Sequence, residues 1–382
     1  MTSRSHLRAL QIGMSATPER AGGLDRYYFS LLQALPEAGI DVAGLVVGDA
    51  ADVAQARCAV DSFAPEGASV LRRWRGLRAN VPKHVAHSDL VVSHFAPYAF
   101  PVLDSLAARP FVNHFHGPWA LEALSEGEHP LKAQARRLVE RAVYARAARF
   151  IVLSQSFANV LIAEYGVAPQ KIRIVPGGVD VRHFNTFGSR TDARARLGWP
   201  ANRPIVATVR RLVRSKGLEN LVAATNAIVQ SVPNAFVAIV GLGPLAERLQ
   251  RMIVERGLEG SVRLVGHVSE DLLPSVYRAS DLLVVPTTAL EGFGLVVIES
   301  LACGTPVLVT PVGGLPEVVR ALDPALILAG STASDLAAGI TRALNGKQIL
   351  PGREACSAYA QRFDWPRIAA QVSDVYRELS AP

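Results

Sequence analysis

Short apolar runs of strand length alternate with amphipathic, helix-like segments along the whole chain, and this alternation leaves few folds open. Strands separated by helices pair in parallel, and each crossover helix covers a face of the sheet. The first series of strand candidates is Leu7–Ile12, Val42–Val47, Leu90–Phe95, Phe111–Phe115, Phe150–Leu153 and Ile172–Val175. A second series follows at Ile205–Val209, Phe236–Val240, Val262–Val265, Leu282–Val285, Val307–Val309 and Leu326–Leu328. Between them lie Pro176-Gly-Gly-Val-Asp180 and the polar stretch from Asn185 to Asp192, where a hinge belongs. At 382 residues the chain exceeds what one hydrophobic core usually supports, so an α/β protein of two domains is expected. The closing segment Trp365–Leu379 carries Ile368, Val372 and Val375 on one helical face and needs a surface to cover.

Composition narrows the functional classes. Apolar residues make up 49% of the chain and charged residues 19%, yet no stretch reaches the roughly 18 to 20 apolar residues of a membrane span. The first residues lack the apolar core of a secretory signal, which leads us to expect a cytoplasmic protein. Cys58, Cys303 and Cys356 are odd in number and widely spaced, so neither a disulfide framework nor a zinc site is expected. The net charge of +7 is concentrated in the first half, at Arg72, Arg73, Arg75, Arg78 and Lys83 around Trp74 and Leu77, and at Arg136, Arg137, Arg141, Arg146 and Arg149. Cations with apolar residues between them suit an anionic membrane surface or a phosphorylated acceptor, and equally a solvated basic face. No nucleic-acid motif accompanies them.

Ligands of open α/β sheets bind beyond the carboxyl ends of the strands, and the chemistry-bearing residues fall there. Glu291-Gly-Phe-Gly-Leu-Val-Val-Ile-Glu299 places one carboxylate in a glycine-containing loop and another in an apolar helix. A carboxylate sealed from water costs roughly several kcal/mol unless donors meet it, and a ligand rich in hydroxyl groups would supply them. The amides of Phe293, Gly294 and Leu295 would open that helix and favour an anion. Arg211 and Lys216 share a loop after the strand Ile205–Val209, where a guanidinium fork and an ammonium suit a diphosphate. Gly241-Leu-Gly-Pro-Leu-Ala246 fits a Gly-x-Gly-x-x-Ala turn, which leaves a nicotinamide-dependent oxidoreductase as an alternative. His116 ends a buried strand before Gly117 and Pro118, while His94 and His114 carry weaker signals. No cluster has metal-ligand spacing, and neither a nucleophile elbow nor a P-loop is present.

The run from Glu291 to Glu299, followed by Ser-Leu-Ala-Cys-Gly-Thr-Pro-Val and Gly313-Gly314-Leu-Pro-Glu317, resembles the retaining nucleotide-sugar glycosyltransferases of family 4. Gly22-Gly23, Val179-Asp180, Arg211 with Lys216, and Gly241-x-Gly243 fall in that family's order, so the likeness spans nearly the whole chain and is sparse from about residue 50 to 110. The resemblance implies a GT-B fold: two Rossmann-like domains with parallel sheets facing across a cleft. The first would comprise residues 1–180 completed by the C-terminal helix 365–382, and the second residues 181–364. It also implies a nucleotide-diphosphate sugar as co-substrate, with no cofactor and no catalytic metal. By that likeness Glu299 holds the donor ribose, Glu291 the sugar hydroxyls, and Arg211 with Lys216 the diphosphate. Gly23, Gly241, Phe293, Gly294 and Leu295 complete the donor site, and His116 lies beside the transferred sugar.

Two positions depart from the family pattern: Arg210 stands where glycine is common, and Gly177 where asparagine is. The expected reaction is glycosyl transfer with retention by same-face substitution, in envelope polysaccharide, glycolipid or related synthesis. The acceptor would be lipid-linked or otherwise anionic, and the protein peripheral on the inner face of the cell membrane. A sugar-nucleotide epimerase and a catalytically silent binder are the alternatives on the same architecture.

Overall fold

Apolar runs without a polar alternation fit only strands covered on both faces, and the central strands of this protein are of that kind. The computed structural model describes residues 7–16, 22–55, 58–185 and 188–379 and divides the chain into two compact units, Met1–Gly178 with Trp365–Pro382, and Val179–Asp364. In the first unit the strands are β1 (Leu7–Ser15), β2 (Ile40–Val47), β3 (Val60–Ala64), β4 (Leu90–Ser93), β5 (Phe111–Phe115), β6 (Arg149–Val152) and β7 (Ile172–Ile174). They form one parallel sheet in the order β3-β2-β1-β4-β5-β6-β7. The second unit holds β8 (Ile205–Val209), β9 (Phe236–Val240), β10 (Val262–Gly266), β11 (Leu282–Val285) and β12 (Val307–Val309), parallel in the order β10-β9-β8-β11-β12. Both orders are those of a Rossmann-type sheet, with the direction of winding reversed between the first strand and the fourth. β4, β5, β9, β11 and β12 are buried along their whole length.

The differences from expectation lie at the sheet margins. β3 was absent from the expected series because Asp61 and Ser62 expose its centre, as an edge strand permits. At the opposite margin of the second sheet, Leu326–Leu328 does not form a strand. Pro324–Leu326 closes a turn of 3-10 helix, and Ile327 contributes a single parallel bridge to Val309. The expected hinge falls partly on residues 186 and 187, outside the described residues. Within the second unit Val179 pairs with Asp364, and its amide donates to the Phe363 carbonyl at 2.8 Å.

The closing helix, Trp365–Arg377, belongs to the first unit and buries Trp365, Ile368, Ala369, Val372, Val375 and Tyr376 there. Trp365 meets the Tyr27 ring edge-on at 5.3 Å, and Ser373 donates to the Ala38 carbonyl at 3.0 Å. Glu378 accepts hydrogen bonds from Arg149 at 3.1 Å and Arg173 at 2.8 Å. Truncating Trp365 to alanine should lower the stability of this unit by about 3–5 kcal/mol, the usual cost of deleting a buried indole. A urea melt followed by circular dichroism checks this; an unshifted first transition would remove the helix from the unit's core.

Candidate active site

The switch point of the second sheet lies between β8 and β11, and the loops leaving these two strands carry its charged residues. Beyond Val209 the chain stays extended, so side chains alternate: Arg210 is buried, Arg211 exposed and Leu212 buried. The loop then tightens into a 3-10 turn, Arg214–Lys216, whose Ser215 carbonyl accepts the Thr288 amide at 2.9 Å. That bond ties the loop after β8 to the loop after β11. Glu291 stands in the latter, behind Leu290, whose φ of 50° is the only positive value of a non-glycine residue among the described residues. A leucine in that region is strained, and such strain collects at functional loops. The Glu291 carbonyl is held by the Gly314 amide at 2.8 Å.

One carboxylate oxygen gathers the site. Glu291 Oε2 is paired with Arg210, lies 3.1 Å from Lys216 Nζ and accepts from the Thr287 hydroxyl at 3.3 Å. Arg210 also donates to Thr287 Oγ1 at 2.8 Å. Burial pushes the Glu291 carboxyl up, but the charges of Arg210 and Lys216 and their hydrogen bonds outweigh it, and the pKa falls to about 2. The arginine joined to Lys216 here is therefore Arg210; Arg211, expected beside Lys216, points to solvent on the other side of the same backbone.

Glu299 lies one turn into the helix Leu295–Ala302 and is buried. Its Oε2 accepts from the Tyr277 hydroxyl at 2.5 Å, so part of the donor demand of this acid is met within the protein. Gly294 caps the helix with φ of 83°, a left-handed conformation that glycine adopts without strain. Phe293 turns inward against Phe363, with ring centroids 5.8 Å apart. Gly241 serves its own chain. A Cβ there would stand 1.9 Å from the Arg210 carbonyl oxygen, and the Leu212 amide donates to Leu242 at 2.8 Å. The glycine turn supports the arginine loop.

The first unit has its switch point between β1 and β4. Gly22 caps the helix Gly23–Ala34, whose Asp25 carboxylate accepts the amides of Gly22 at 2.9 Å and Ser15 at 3.1 Å, and Gly23 is exposed. His94 follows β4, while His114 and His116 lie two apart along the chain at the end of β5 and so share a face. Their ligand atoms lie within 4.8 Å of one another, a group able to hold a metal ion that linear spacing did not reveal. His94 and His114 are buried and His116 half-buried. Desolvation lowers all three pKa values, that of His116 to about 3, so the imidazoles are neutral.

Two family models cover most of this architecture: Glycosyltransferase Family 4 over residues 21–183, and Glycosyl transferases group 1 over residues 189–363. A Streptomyces bingchenggensis protein named D-inositol 3-phosphate glycosyltransferase is 32% identical over 326 residues, 81% of this chain and 69% of that protein. The chain belongs to the family 4 glycosyltransferases. A Saccharomonospora viridis protein of the same name is 35% identical over 269 residues, 68% of this chain but only 62% of its own length. Among solved structures, Anabaena HepE in complex with UDP-glucose superposes with a TM-score of 0.80 at 23% identity, covering 98% of this chain and 100% of that one. That likeness is one of fold, and the fold is GT-B.

Thr287 and Tyr277 escaped the sequence reading because neutral hydroxyls carry no charge signal, although Thr287 stands two residues beyond β11, at the carboxyl end where open α/β sheets bind ligands. Replacing Glu291 with glutamine leaves Arg210 and Lys216 without their counter-charge, and should destabilise the second unit by roughly 3–5 kcal/mol at neutral pH. The carboxyl pKa is depressed in the fold, so its stabilisation is complete above the ordinary value of 4.5 and lost as pH falls through about 2. Denaturation midpoints of the two proteins should therefore converge across that interval; a gap independent of pH would contradict the ion cluster.

Proposed function

We propose that this protein transfers a hexosyl group from a nucleoside-diphosphate sugar to an acceptor hydroxyl with retention of anomeric configuration. The carrying observation is the cluster of Arg210, Lys216, Thr287 and Glu291 at the β8/β11 switch point, beside a helix N-terminus. Lys216 and Arg211 take the diphosphate, aided by the amides of Phe293, Gly294 and Leu295 and by Gly23. Glu291 accepts from sugar hydroxyls, and Glu299 from the ribose. His116 hydrogen-bonds the transferred sugar. Arg210 holds Glu291 ionised and in place, which gives the departure from glycine a role compatible with turnover. In the reaction the acceptor oxygen bonds to the anomeric carbon on the face from which the diphosphate leaves. The acceptor proton passes to the departing phosphate oxygen, and cations at that phosphate stabilise the charge that develops. No step calls on a resident metal.

The UDP-glucose complex of HepE makes UDP-sugars the first donors to test, and the relatives' name points to a phosphorylated cyclitol among anionic acceptors. UDP-, GDP- and ADP-sugars should be screened for thermal stabilisation, since a ligand of the native state raises its apparent stability. The preferred donor is then incubated with soluble phosphorylated and lipid-linked acceptors, and NMR of the product's anomeric proton reads retention. Lys216→Ala should lose roughly a hundred- to thousandfold in kcat. Glu299→Ala should weaken donor binding by calorimetry, and unchanged affinity would exclude its ribose role.

A peripheral membrane position is favoured by the helix Val70–Val85, which exposes Val70 and Leu71 beside Arg72, Arg75 and Lys83. The second basic segment is less available: Arg136, Arg137 and Arg149 are engaged by Glu128, Glu164 and Glu378. No described helix is long and apolar enough to cross a membrane. Reversing Arg72 and Arg75 to glutamate should weaken co-sedimentation with anionic vesicles by about 1 kcal/mol or more per site. Equal binding of variant and parent would remove this face from the membrane reading.

A further inference from the structure

The first unit contains a continuous chain of polar groups of which the proposed reaction uses only one end. Gln11, fully buried on β1, stands between His94 and Tyr376. Its Oε1 lies 2.9 Å from His94 Nε2, and its Nε2 donates to the Tyr376 hydroxyl at 3.2 Å. That hydroxyl is 2.9 Å from His114 Nε2, and His114 Nδ1 is 3.3 Å from the Tyr27 hydroxyl. At the other end His94 Nδ1 lies 3.1 Å from His116 Nε2.

In a neutral imidazole one nitrogen donates and the other accepts. An amide oxygen can only accept, so His94 carries its proton on Nε2 and a lone pair on Nδ1. That lone pair takes the hydrogen of His116 Nε2, which leaves His116 Nδ1 bare. On the far side the Gln11 amide donates to the Tyr376 oxygen, whose hydrogen goes to His114 Nε2, and His114 Nδ1–H reaches Tyr27. In this arrangement each nitrogen that faces a partner has a single role, and all three rings are neutral.

We infer that Gln11 and Tyr376 are positioning residues that set the tautomer of His116, so that it offers Nδ1 as an acceptor to a hydroxyl of the bound sugar. This rests on the reading of His116 given above. The direction of the whole chain is set at the Gln11 amide: turned over, it would reverse every donor from Tyr27 to His116 and put a hydrogen on Nδ1. Tyr376 couples that amide to His114, so the rings change tautomer together. Without its hydroxyl the amide nitrogen loses its acceptor, and the orientation of the amide is no longer tied to the tautomer of His114.

The test is NMR of the imidazole nitrogens in isotope-labelled full-length protein, with the His116 signals identified by their loss in His116→Gln. The expected result is Nε2 protonated and Nδ1 bare in the parent protein, and both tautomers in Tyr376→Phe. If the competent tautomer falls to half, the donor-sugar Michaelis constant should rise about twofold while binding of UDP alone is unchanged. A protonated Nδ1 in the parent, or an unaltered His116 spectrum in Tyr376→Phe, would overturn the inference. So would a stoichiometric metal retained by the purified protein, because the ion would displace the hydrogen between His94 and His116. The spectra are read without turnover, so failure of glycosyl transfer and failure of the relay give separate outcomes.

Discussion

Parallel pairing is the constraint on which the rest of this protein depends. A parallel sheet sends the carboxyl ends of all its strands to one edge, and at the switch point neighbouring strands pass their chains to opposite faces, opening a crevice there. Register decides which residues meet in it. Ile12 on β1 is level with Ser93 on β4, and the His94 amide donates to the Ile12 carbonyl at 3.0 Å. Ser93 is in turn level with Asn113 on β5, so His94 and His114 emerge as neighbours. In the second sheet β8 and β11 are adjacent in the same way, and Arg210 reaches Thr287 and Glu291 across that step. The polar groups of each unit thus meet because of strand order.

The two clusters solve the problem of buried polarity differently. Around Glu291 the chain keeps a charge and surrounds it with compensating charges, since a carboxylate between two cations is cheaper to bury than any one of the three. Two cations on one carboxylate leave a surplus of positive charge. Around His94 the chain removes charge altogether. Stacked imidazoles, with His94 and His114 centroids 4.4 Å apart, would repel one another if protonated, and burial already disfavours the cation.

Much of this was legible in the sequence. Continuous apolar runs gave the central strands within a few residues, because both faces of those strands are covered. β3 was not legible, since an edge strand can carry Asp61 and Ser62 outward. Glu291 and Lys216 stood out as charged residues in loops entering helices. The pairing of Arg210 with Glu291 did not: neighbouring residues of one loop are buried and exposed in turn, and a one-residue shift in phase exchanges them. The histidine group was hidden for another reason. His114-x-His116 is a local pattern, but His94, Gln11 and Tyr376 join it through strand order and the closing helix, at sequence separations of up to 365 residues.

That separation gives the closing helix a second task. Its apolar face completes the core of the first unit at Trp365, Ile368 and Val372, as amphipathic periodicity predicts. Its tyrosine also completes a polar interior that the first strand series cannot satisfy alone. Without Tyr376, the Gln11 amide and His114 Nε2 would each lose a partner in a place with little access to water, at a cost of about 1–3 kcal/mol per group. Hydrophobic burial would accept many helices at this position, and many registers of the same helix. The hydroxyl of Tyr376 accepts one, because only that register brings an oxygen between an amide donor and an imidazole acceptor. Polar demand thereby fixes the register of a helix whose apolar face supplies most of its binding.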